Sequence, residues 1–141
     1  MAVEQSWSEF GDTLNNATDN FSVAWYPGYA IIKINGVIEL PNMVDANNVL
    51  TSDARFDDIQ GFLVDMSAAE TINMSDMDLR VVAALGKAAP KYNPRKLKVA
   101  YVIRSPQIRN TIARAVDQYF HKEWDRMLFI DPHAALQWVR R

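Results

Sequence analysis

An α/β fold, with a mixed sheet of about five strands opened by a hairpin and covered by about four helices, is what the 141-residue sequence predicts. Two observations carry it. Two runs rich in aromatic and β-branched residues, Phe21 to Trp25 and Tyr29 to Ile34, flank Tyr26-Pro27-Gly28. After them, short apolar strands alternate with amphipathic helical patterns, the signature of parallel strands buried under helices.

Each element has its own signal. Proline at one turn corner with glycine behind it suits a tight reversal, so the first two runs form a hairpin. Gly36 breaks the second strand, and Pro41 starts a helix of about ten residues whose apolar set includes Met43, Ala46 and Leu50. Phe62-Leu63-Val64 is an apolar strand, followed by a helix from about Ser75 to Ala89 that Pro90 and Pro94 stop. Val99 to Ile103 is the next strand. Pro106 opens a helix with Ile108, Ile112, Ala115, Val116, Tyr119 and Phe120 on one face. Met127 to Ile130 is the last strand, and Asp131-Pro132 caps and starts the final helix, with Ala134, Ala135, Trp138 and Val139 as its apolar residues.

Residues 1–20 read as an N-terminal arm and 21–141 as one domain. Trp7, Phe10 and Leu14 are spaced like one face of a short helix, and the Asn/Asp/Thr-rich stretch after them reads as a join. The chain is long enough for a real core without metals or staples. Composition is ordinary for a globular protein, 49% hydrophobic and 23% charged. With no cysteine, disulfides and thiolate chemistry are excluded, which suits a reducing, cytoplasmic setting. The first residues lack the basic and apolar regions of a secretion signal, and no apolar run approaches the roughly 20 residues of a membrane span. A formal charge of −2 argues against nucleic acid as a partner.

The order of elements resembles the STAS domain, the fold of sulfate-transporter tails and anti-sigma-factor antagonists. Asp65-Met66-Ser67 followed by Ile72-Asn73-Met74-Ser75-Asp76 is similar to that family's Asp-Leu-Ser and, after a loop, apolar-Asp-Ser-Ser-Gly. Phe129-Ile130-Asp131 with Ala134, Ala135 and Trp138 resembles the ending of the SpoIIAA-like branch, bacterial proteins mostly without assigned activity. In the antagonists a partner kinase phosphorylates the second serine of Asp-Ser-Ser-Gly and switches binding off. The resemblance puts Ser75 on that position, while Asn73, Met74 and Asp76 stand where the family has Asp, Ser and Gly.

Two readings of Ser75 follow. A phosphate there would meet the free N–H groups and dipole of a helix N-terminus. The other reading is a plain helix cap, with Asp78 three residues on as the reciprocal partner. Asp76 and Asp78 already supply negative charge, so a dianion would be repelled.

Other constellations are incomplete. Asp65, Glu70, Asp76 and Asp78 read as an acidic rim, which an enzyme could use to hold Mg²⁺. A phospho-accepting receiver needs an early acidic pair and a late lysine; Ile34-Asn35-Gly36 and Ile130-Asp131-Pro132 supply neither. His121 and His133 lack ligand spacing and read as helix-end cations or surface residues. Lys87, Lys91, Arg95, Lys96, Lys98 and Arg104 read as a solvated basic patch. Met66, Met74 and Met77 read as core fillers.

The functional expectation is a non-enzymatic regulatory module that binds a protein partner and needs no cofactor or metal. Its surface would be the loop Ser67 to Ile72 and the first turns of the next helix: Ser75, Asp76, Asn73, Ser67 and Met74. A homodimer through edge strands or the hairpin is compatible with the sequence. The alternative is a small-ligand (lipid or nucleotide) binding or sensing domain without catalysis, its apolar pocket lined by Tyr101, Phe120 or Trp124.

Overall fold

Strand formation begins before the hairpin. The computed structural model describes residues 12–14, 20–91 and 93–141. Asp12–Leu14 (β1) pairs antiparallel with Phe21–Tyr26 (β2), which turns through Pro27-Gly28 into Tyr29–Ile34 (β3). Gly28 has φ +83, the left-handed value that the second corner of this turn requires. Leu14 therefore lies in a strand rather than on a short helix, while Trp7 and Phe10 lie outside the described residues.

The chain continues as Gly36–Glu39 (β4), Leu40–Ser52 (α1), Gly61–Asp65 (β5), Ala69–Asn73 (β6) and Asp76–Gly86 (α2). Lys98–Val102 (β7), Pro106–Gln118 (α3), Asp125–Phe129 (β8) and Pro132–Arg140 (α4) complete it. The main sheet has the order β1-β2-β3-β5-β7-β8, parallel from β3 onward. Its five strands β2, β3, β5, β7 and β8 are those the sequence predicts, and the four helices are likewise present. The expected alternation is thus a mixed sheet between two helical layers.

The pleat decides which layer each residue faces. Val23, Ile32, Val64, Val99 and Tyr101 share a core with Ala46 and Leu50 of α1, Leu79 and Ala83 of α2, and Ile108 and Ile112 of α3. The alternate residues Ile31, Leu63, Ala100 and Val102 form a smaller cluster with Ala135 and Val139 of α4, flanked by Tyr29, Leu136 and Trp138. The close approach of α4 has a local cause at Gly61. A Cβ there would stand 2.5 Å from the Lys98 carbonyl oxygen and 3.1 Å from Val139 Cγ1.

Three local expectations need correction. The stretch from Ser67 to Ile72 is not an open loop: β6 pairs in parallel with β4 as a separate two-stranded sheet, Ile38 opposite Ile72. The helix expected to reach Ala89 ends at Gly86, before Pro90, which sits in a short 3₁₀ turn, Ala89–Lys91. The basic stretch is partly structural. Lys98 Nζ donates to the Trp138 and Arg141 carbonyls at the end of α4, and Arg95 donates to the Asp57 carbonyl.

Candidate functional site

Asp65 ends β5 and is buried. Its Oδ1 accepts from the Ser67 backbone N–H (2.9 Å) and hydroxyl (2.6 Å), closing the turn out of the strand. This is the side-chain-to-backbone turn that aspartate favours. Oδ2 is buried and has no protein partner among the described residues. Ser67, half-buried, thus turns its hydroxyl inward.

The chain then runs up β6, where Ile72 is buried and Glu70, Thr71 and Asn73 are exposed. Gln107 of α3 grips this strand: its Nε2 donates to the Ile72 carbonyl (3.0 Å) and its Oε1 accepts from the Ile72 N–H (3.1 Å). One amide side chain does what a further strand would do. Nothing in the sequence singles out Gln107, because a glutamine in the first turn of a helix ordinarily faces water.

Ser75 caps α2 in a reciprocal box. Its Oγ accepts from the Asp78 N–H and Asp78 Oδ2 accepts from the Ser75 N–H, both at 3.1 Å. Asp76 pairs with Arg114 of α3 at 3.0 Å. Ser75, Asp76 and Asn73 are exposed on one corner, while Met74 is half-buried against the core. Met66 is buried, as expected of a core filler, but Met77 is 66% exposed and Val81, one turn on, is 39% exposed. Met77 is therefore a surface residue, forming with Val81 an apolar stripe beside the cap.

The acidic rim separates into different tasks: Asp65 holds a turn, Asp78 a cap and Asp76 an ion pair. Among the described residues, no group of three or more His, Asp or Glu is placed to hold a metal.

A second feature lies inside. A cavity of about 80 Å³ sits between the main sheet and α1 and α2, and Tyr101, Phe120 and Trp124 all line it. At its β8 end, Arg126 Nη1 donates to the Tyr101 hydroxyl (2.8 Å), and Nη2 lies 3.2 Å from His121 Nε2. The guanidinium carbon lies 4.9 Å from the centre of the Phe120 ring and 5.3 Å from that of Trp124. His121 is half-buried with its ring edge-on to Trp124 at 4.8 Å. Burial, and then the charge of Arg126, lower its pKa from the usual 6.5. His121 is thus not a helix-end cation, whereas His133 is exposed at the start of α4.

No family model matches the sequence, and no curated protein matches it. Solved structures do match in shape. An anti-sigma factor antagonist from Mycobacterium paratuberculosis superposes with TM-score 0.59 at 20% identity, covering 86% of this chain and 93% of that one. The phosphorylated form of the Bacillus cell fate determinant SpoIIAA gives 0.55 at 11%, covering 85% and 99%. An uncharacterized DUF3478-family protein with a SpoIIAA-like fold from Shewanella loihica gives 0.52 at 15%, covering 84% and 91%. The chain thus has the SpoIIAA-like, or STAS, fold.

Proposed function

We propose that this chain, folded like the anti-sigma factor antagonists, is a non-enzymatic regulatory module that docks a protein partner on the corner between β6 and α2. The observation that carries this reading is the exposed Ser75 cap beside the exposed Met77 and Val81. A polar helix start next to an adaptable methionine suits protein docking, since the apolar contact supplies affinity and the cap fixes orientation. Asn73, Asp76 and Met74 complete the surface, and Ser67 supports it from within.

Phosphorylation of Ser75 is the switch within this proposal. The added dianion would break the Ser75–Asp78 exchange and meet Asp76 and Asp78 at close range, so it would act by disrupting the corner rather than by ordering it. Within the stretch read from the sequence as an arm, Asp12–Leu14 is strand β1 of the main sheet, so the domain begins before residue 21. Among the described residues β8 is an edge of the main sheet, and exposed Met127 within it and Ile130 just after it support a second copy of the chain as the other candidate partner. Among the described residues, no helix is long and apolar enough to cross a membrane.

The test is partner capture from the native cell under phosphatase inhibition, with phosphosite mapping, followed by affinity measurements on purified wild-type, Ser75→Ala and Ser75→Asp chains. Phosphate at Ser75 and a loss of at least tenfold for Ser75→Asp are expected. Unchanged affinity with altered stability alone would leave Ser75 a cap. A second reading, small-ligand binding, is favoured by one observation, the aromatic-lined cavity that ends on Arg126.

A further inference from the structure

We infer that the cavity between the sheet and α1 and α2 binds a small monocarboxylate with a short apolar tail, Arg126 and Trp124 taking the carboxylate. This rests on the ligand-binding reading and is independent of Ser75.

The argument begins with groups that lack partners. Arg126 Nε and Trp124 Nε1 are buried N–H donors without an acceptor among the described residues, and both side chains line the cavity. A buried donor left unpaired carries its desolvation penalty with nothing to offset it. The two side chains are neighbours, the guanidinium carbon 5.3 Å from the centre of the Trp124 ring, so one ligand in the cavity can serve both. The charge is unanswered as well. No carboxylate pairs with Arg126 among the described residues; its neighbours are a phenol, an imidazole and two aromatic faces.

His121 does not fill the gap. Its Nε2 faces Arg126 and its Nδ1 faces the Glu123 backbone N–H at 3.3 Å, yet a neutral imidazole accepts at only one nitrogen. The imidazole therefore answers at most one of these two donors, and neither is Arg126 Nε. A carboxylate has two acceptor oxygens and the negative charge that the site lacks, and guanidinium-carboxylate contacts are among the stronger hydrogen bonds.

The remaining wall selects the tail. Ile32, Val64, Met43 and Ala83 line the cavity with hydrocarbon. A space of about 80 Å³ exceeds what one water needs and is smaller than an engineered cavity that takes benzene, so a chain of a few carbons fits. Inorganic phosphate would leave that wall unfilled, and a neutral alcohol would leave the cation unanswered.

The test uses the full chain with butanoate, 1-butanol and inorganic phosphate as probes, read by calorimetry and by the Trp124 indole N–H resonance, which Trp124→Phe identifies by its disappearance. Butanoate is expected to bind at least tenfold tighter than butanol and to shift that resonance downfield, with no binding of phosphate. Arg126→Met should remove the preference and Arg126→Lys should retain part of it, with circular dichroism verifying the fold of each variant. Equal binding of butanoate and butanol would overturn the carboxylate assignment and leave ligand binding standing. Binding of neither would overturn both.

Discussion

At the exposed start of α2, polar groups answer one another; at the β8 end of the cavity, two buried N–H donors have no protein acceptor among the described residues. Ser75 exchanges two hydrogen bonds with Asp78, and Asp76 has Arg114, so the corner needs nothing more to be stable. Arg126 Nε and Trp124 Nε1 are buried donors without a protein acceptor among the described residues. The register separates the regions along the sheet: Arg126 pairs beside Val99, whereas Asp65 pairs with Val102, three residues further on. A satisfied, exposed surface can offer shape and charge to a macromolecule, whereas an unsatisfied, enclosed one favours a ligand that completes it.

The comparison can be broken most severely at Asp65, the buried member of the corner. Asp65→Ala strands the Ser67 N–H and hydroxyl, and a loss of about 1–3 kcal/mol is expected in urea unfolding. Asp65→Asn keeps an acceptor at Oδ1 and should recover most of it. Next is the cap: Ser75→Ala should cost about 1 kcal/mol. Asp76→Ala should cost least among these, about 0.2–1 kcal/mol and less in high salt, since the pair with Arg114 is exposed.

The cavity end has a pH signature that the corner lacks. The pKa of His121 is lowered from 6.5 in the folded chain, so the unfolded chain takes up its proton first as pH falls. The His121 contribution is fully present above 6.5 and is lost as pH drops through the folded value. Unfolding followed from pH 7.5 to 5 should show this slope, and His121→Gln should flatten it.

Local chemistry made much of this legible in the sequence. Pro27-Gly28, the serine and aspartate caps and the helical spacing of Ile108, Ile112 and Ala115 each act within a few residues, and each stands where expected. The pairing of β4 with β6 was not legible, because each strand buries a single large residue, Ile38 and Ile72, and their partnership exists only in the tertiary fold. Gln107 was hidden for the same reason. Met77 misled because methionine usually fills core gaps, whereas this one faces solvent. Aromatics at the cavity could be named beforehand, but the unpaired donors of Arg126 and Trp124 emerge only from three-dimensional neighbours.

The most direct test of the docking account compares one captured partner on three purified chains: wild type, Met77→Asp and Arg126→Met. A charge at the exposed stripe beside Ser75 should weaken the partner at least tenfold, while loss of the half-buried cation should leave its affinity unchanged. Equal affinity for wild type and Met77→Asp would contradict the account, as would a partner lost only with Arg126.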